Sequence, residues 1–134
     1  MGLDNGIIYK NIQHKCAVGP FIRWAAESIE TNEIELCYWR KCWNIRREIL
    51  AILNAPQDGG EFSINLFQLR QIRKTILRFL LHPKEWDCNS ELNSSIWTYS
   101  EIKWRLVRSC VALLWAERRI CKDPGSYVIF YDSY

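Results

Sequence analysis

Between residues 65 and 81 the apolar positions recur at three- and four-residue intervals. Leu69, Ile72, Ile76, Phe79 and Leu80 fall within about 100° of helical arc, and Arg70, Arg73, Lys74 and Arg78 take much of the opposite side. Asn65 stands where a cap is needed, with Gln68 three residues on, and Pro83 bars continuation beyond Leu81. A second helix is predicted from the Thr98-Tyr-Ser-Glu101 capping pattern to about Cys121, with Ile102, Leu106, Cys110, Leu113 and Ile120 as its core stripe. A third is predicted from about Glu33 to Leu53. There Asn32 and Glu35 resemble a capping box, and Ile34, Tyr38, Cys42, Ile45, Ile49 and Ile52 form one stripe. Trp39, Trp43 and Leu50 form a second stripe, so this helix is expected to be sandwiched inside the fold. Asn54-Ala-Pro-Gln-Asp-Gly-Gly60 ends it. A short helix from Phe21 to about Ile29 follows Gly19-Pro20.

Three segments read as strands. Ile7-Ile8-Tyr9 follows the turn-prone Asp4-Asn5-Gly6, Phe62-Ser63-Ile64 is brief, and Tyr127 to Tyr131 is β-branched and aromatic. Residues 11–19 and 82–96 read as connections. The elements sum to a single α+β domain over residues 1–134, three main helices packed on a small sheet that includes both termini.

Composition narrows this picture. With 49% hydrophobic and 25% charged residues, the chain is globular, and 134 residues bury enough surface to fold without a metal or disulfide. The N-terminus lacks the basic start and apolar run of a signal peptide, and no segment approaches 18 uninterrupted apolar residues. A cytoplasmic location with no membrane partner is therefore expected. The six cysteines are then expected to be reduced and mostly core residues. No Cys-x-x-Cys pair exists, Cys37 and Cys42 would point about 140° apart on a helix, and His14-x-Cys16 stands isolated. No metal and no cofactor is expected.

Catalytic patterns are sparse. The two histidines are His14, in an expected loop without a neighbouring acid, and His82, at a helix end where a cation suits the dipole. There is no Gly-x-Ser-x-Gly, P-loop or Gly-x-Gly-x-x-Gly pattern. Glu27, Glu30, Glu33 and Glu35 read as a solvated acidic face. The reading is a binding protein that does no chemistry.

Aromatic and basic residues supply the candidates for binding. The chain has seven Trp, six Tyr and five Phe, and eleven of its 18 cations are Arg. The net charge of +3 conceals a run of +5 at residues 62–84, which contains Arg70, Arg73, Lys74, Arg78 and Lys84 without an acid. The region of Arg40, Lys41, Arg46 and Arg47 adds further cations. Trp104, Arg108, Trp115 and Arg119 fall within about 60° of one side of the long helix. Trp, Tyr and Arg are the residues most enriched at protein-binding hot spots. Trp39, Arg40, Arg47, Trp104, Arg108, Trp115 and Arg119 are therefore the partner-binding candidates. Arg70, Arg73, Lys74 and Arg78 are the candidates for an alternative nucleic-acid or nucleotide contact.

Two segments carry a resemblance. Met1-Gly-Leu-Asp4 and Tyr38-Trp-Arg-Lys41 with Ile45 resemble a family of small phage and prophage proteins that begin Met-Gly-Leu-Asp and carry Tyr-Trp-Arg-Lys near the start of a helix. The tyrosine-rich end Phe130-Tyr-Asp-Ser-Tyr134 is similar as well. The match covers about 15 residues directly, and Trp43 and Arg46 stand where that family has Asn and His. The resemblance implies a phage or mobile-element origin. The expectation is thus a phage accessory protein in the host cytoplasm that binds and inhibits a host protein, with a defence complex such as a CRISPR effector as the target class.

Overall fold

A computed structural model of the chain describes residues 4–11, 19–30, 32–40, 42–56, 58–82, 99–123 and 125–133. Among these, five strands and four helices run in the order β1 (Asp4–Asn11), α1 (Pro20–Ala25), β2 (Ser28–Ile29), β3 (Glu33–Arg40), α2 (Trp43–Leu53), β4 (Gly60–Ile64), α3 (Leu66–Leu81), α4 (Tyr99–Lys122) and β5 (Ser126–Ser133). The strands form one antiparallel sheet in the order β2-β3-β1-β5-β4. The fold is a single α+β domain in which the first and last strands lie side by side at the centre of the sheet. No described helix is long and apolar enough to cross a membrane.

The sheet explains which residues form the core. Side chains alternate across a strand, and directly paired residues share a face. Asn5, Ile7, Tyr9 and Asn11 of β1 are all buried. Their partners on β5 are Asp132, Phe130, Val128 and Ser126, and on β3 Asn5, Ile7 and Tyr9 meet Trp39, Cys37 and Ile34. Against this core pack Ile45, Ile49 and Leu50 of α2, Leu69, Ile72, Ile76 and Phe79 of α3, and Leu106, Leu113 and the small Ala112 and Ala116 of α4. Burying each large aliphatic side chain contributes about 1.5–3 kcal/mol.

The expected helix from Glu33 to Leu53 is two elements. Residues 33–40 are strand β3, and the helix begins only at Trp43, after Cys42 at a cap position without a side-chain cap bond. Asn32 and Glu35 therefore form no capping box. A bulge explains the misreading. β3 carries one extra residue, Leu36, where its register with β1 shifts between Ile7 and Ile8. The buried positions become Ile34, Leu36, Cys37 and Trp39. That spacing breaks the two-residue alternation that marks a strand, while Ile34 and Tyr38, four residues apart, continue the helical spacing of Cys42, Ile45 and Ile49 although they lie on opposite faces of β3. The Tyr38-Trp-Arg segment thus closes a strand and immediately precedes a helix.

Helices α3 and α4 follow their local signals closely, whereas β1 runs straight through the Asp4-Asn5-Gly6 segment expected as a turn. Helix α3 has the full reciprocal capping box: Asn65 Oδ1 accepts from the Gln68 N–H at 2.8 Å, and Gln68 Oε1 accepts from the Asn65 N–H at 3.0 Å. Helix α1 is shorter than expected and ends at Ala25, because Ser28 and Ile29 pair with β3 as an edge strand. The cysteine expectation divides: Cys37 and Cys42 are buried, Cys110 is half-buried, and Cys121 is exposed. Burial pushes the Cys37 thiol well above its ordinary pKa and the Cys110 thiol up to about 11, so both are held as neutral thiols. His14, Cys16, Trp86, Cys88 and Trp97 lie outside the described residues.

Candidate partner-binding surfaces

Helix α4 carries most of the candidate residues, and the fold sends them to different places. Trp104, near its start, is 60% exposed. One turn later Arg108 reaches across to α1, where its Nε and Nη2 donate to the backbone carbonyls of Trp24 and Ala26, each at 3.2 Å. These bonds satisfy carbonyls at the end of α1 and lock the guanidinium in place. Helix α1 then presents Phe21, 75% exposed, and Trp24, 49% exposed, three residues apart and so on adjoining positions of its surface. Arg105, one residue past Trp104, is tied to Glu27 by an ion pair, with its guanidinium 5.8 Å from the centre of the Tyr38 ring. A groove of about 290 Å³ opens between Ser100, Glu101, Trp104, Arg105 and Arg108.

The second half of the expected Trp/Arg face belongs to the interior packing. Trp115 is half-buried and meets Tyr9 edge to face, ring centres 5.0 Å apart. Arg119 lies 5.6 Å from the centre of the Trp115 ring and forms an ion pair with Asp123 at 2.8 Å. Tyr9 donates to the same Asp123 carboxylate at 3.2 Å. Trp115 and Arg119 therefore anchor the end of α4 to the sheet. The common helical azimuth of the four residues is real, but α1 covers one stretch of it and β1 another.

The candidates from the misread helix fare differently again. Trp39 is a core residue at 1% exposure, so it offers no contact surface. Arg46 is also buried: its Nε donates to Asp132 Oδ1 at 2.9 Å and Oδ2 at 3.1 Å, joining α2 to β5. It adds no charge to the exterior. Arg47 is exposed and bonds Asn44 Oδ1 at 2.6 Å within its own helix. Arg40 lies at the end of β3, paired in register with Asp4.

The basic stripe of α3 is on the surface, in a form the sequence did not announce. Arg70, Lys74 and Arg78 are exposed, and Phe67, Leu77 and Leu81 are exposed among them. Arg73 turns towards α4, where it forms a two-bond fork with Glu117; its Nη2 donates to Oε1 at 3.2 Å. Arg70 Nε lies 3.5 Å from the same carboxylate. The bond to Glu117 raises the Arg73 pKa above its ordinary value, so Arg73 is a permanent cation.

The acidic residues at 27–35 lie around the strand edge rather than on a helix. Tyr131 lies across β1 at Gly6 and donates to Glu35 Oε2 at 3.0 Å. Tyr38 donates to Asp4 Oδ1 at 2.9 Å. Burial raises the Glu35 carboxyl above its ordinary pKa. The Tyr131 bond opposes the shift, Glu27 and Glu33 add to it, and Arg105 opposes it. Burial and the Glu35 charge drive the Tyr131 hydroxyl upward too. Among the described residues no group of three His, Cys, Asp or Glu side chains is arranged to hold a metal ion.

No protein-family profile, curated protein or solved structure matches this chain.

Proposed function

We propose that this protein is a phage accessory protein that binds and inhibits a host protein by occupying one of its surfaces, and that the α1–α4 shoulder is its contact face. One observation carries the reading. Phe21, Trp24 and Trp104 are three large exposed aromatics at the place where Arg108 staples α1 to α4. Aromatic anchors held on a rigid base lose little conformational freedom on binding, and Trp and Arg dominate hot spots. The bonds of Arg108 and the Arg105–Glu27 pair fix the backbone on which the rings stand. The resemblance of Met1-Gly-Leu-Asp4 and Tyr38-Trp-Arg-Lys41 to phage proteins supports a bacterial host as the source of the partner. Defence complexes such as CRISPR effectors are the target class this reading names.

The test is affinity capture from a bacterial lysate with the wild-type chain and with Trp24→Ala/Trp104→Ala. The expected result is one host protein retained stoichiometrically by the wild type and lost from the variant, with unchanged circular dichroism. Retention of that protein by the variant, or no stoichiometric protein on the wild type, overturns the proposal.

A further inference from the structure

A groove of about 450 Å³ runs between α3 and α4, lined by Arg70, Arg73, Leu114, Glu117, Arg118, Cys121 and Lys122. We propose that it binds a phosphate-bearing ligand of nucleotide size. The inference is independent of the α1–α4 shoulder and of the partner reading above.

Three features carry it. The first is charge. Four cations face one carboxylate, which leaves the lining at +3. Arg118 and Lys122 have no ion-pair partner among the described residues. Like charges held this close repel unless an anion joins them. The second is organisation. Glu117 is buried, and its two oxygens are taken up by Arg73 and Arg70. A carboxylate sunk in the floor therefore positions two guanidinium groups without neutralising both. Guanidinium forks match phosphate oxygens in pairs. The third is size and lining. The volume falls within the range of small-ligand sites, about 300–1,000 Å³, and half-exposed Leu114 offers an apolar surface beside the cations.

Charge matching selects the ligand class. A lone carboxylate would leave two positive charges uncompensated, whereas a di- or triphosphate, or successive phosphates of a strand, would answer all three. Lys74 and Arg78 continue the positive surface along the exposed side of α3. The same chemistry is thus offered by a free nucleotide and by a nucleotide unit of a nucleic-acid strand.

The experiment titrates the full chain with ATP, with a twelve-nucleotide oligothymidylate and with a twelve-residue polyglutamate, over a series of salt concentrations. Binding of ATP or the oligonucleotide is expected, with log K falling linearly against log salt. Polyglutamate should bind at least about tenfold more weakly than the better of the two. An oligonucleotide far tighter than ATP assigns the strand; equal or weaker binding assigns the free nucleotide. Arg118→Glu/Lys122→Glu should weaken binding by about tenfold or more. Arg118→Ala/Lys122→Ala should show a smaller loss in the same direction, and serves if the reversed variant folds poorly. Saturating ligand should slow iodoacetamide labelling of Cys121, followed by peptide mapping. Failure of both ATP and the oligonucleotide to bind overturns the proposal. So do polyglutamate binding as tight as theirs, alanine-variant affinity equal to wild type, and Cys121 labelling unchanged at saturation.

Discussion

Replacing Arg46 by Met isolates the contact that joins α2 to the last strand. The side chains of Arg46 and Asp132 are 6% and 0% exposed, and both Asp132 oxygens accept from Arg46 Nε. Met conserves most of the apolar stem but leaves the carboxylate buried without its cation. Stranding one member of a buried pair costs about 3–5 kcal/mol. A 134-residue chain unfolds with an entropy of about 0.28 kcal/mol per kelvin. The expected drop in Tm is therefore about 11–18 °C, measured by circular dichroism and by the fluorescence of core residues such as Trp39. Arg46→Met/Asp132→Leu removes both charges and should recover most of the loss, because apolar replacements for a buried pair are often neutral or stabilising. A loss below about 1 kcal/mol for Arg46→Met would mean that Arg46 is a surface cation. A double variant as unstable as the single one would mean that the stranded charge is not the cause.

Three further outcomes test the packing. Gly6→Ala would drive a methyl group into the Cys37 carbonyl oxygen and to within 2.7 Å of the Tyr131 hydroxyl, so it should cost about 2–4 kcal/mol in urea unfolding; wild-type stability would refute the close approach of β1 to β3. Glu35 has a raised folded pKa, so the native state binds its proton more tightly than the unfolded chain, and stability declines as pH rises through the window between the two values. Glu35→Gln should therefore raise Tm at pH 7 and lose that advantage below the ordinary carboxylate range; an advantage independent of pH would contradict the assignment. Asn65→Ala removes an acceptor of the α3 capping box and should cost about 1 kcal/mol, with a change under a few tenths pointing to a frayed helix start.

The legible parts of the fold are those specified by contiguous residues. The Asn65–Gln68 cap and the periodicity up to Leu81 define α3, and the Thr98-to-Cys121 pattern places α4 to within a few residues. The β3–α2 segment was illegible because the Leu36 bulge is set by pairing with β1, some 28 residues earlier in the chain. Burial of Arg46 follows from the same tertiary contact, since nothing near Arg46 in sequence signals Asp132. The site divides in a similar way. The shared face of Trp104 and Arg108 is written in their four-residue spacing, but their separation from Trp115 and Arg119 depends on where α1 and β1 dock. Phe21 and Trp24 became candidates only because Arg108 joins α1 to the helix that carries Trp104. Nothing local sets Arg118 and Lys122 apart from other helix-surface charges, because the groove they line depends on Glu117 meeting Arg73 across 44 positions.

The claim that the α1–α4 shoulder is the contact face is tested most directly by site-specific photo-crosslinking in a bacterial lysate, with benzoylphenylalanine in place of Trp104 and, as control, of the exposed Glu61 on edge strand β4. A single abundant adduct with one host protein is expected from position 104 and none from position 61. No adduct at position 104, or the same adducts from both positions, would contradict it.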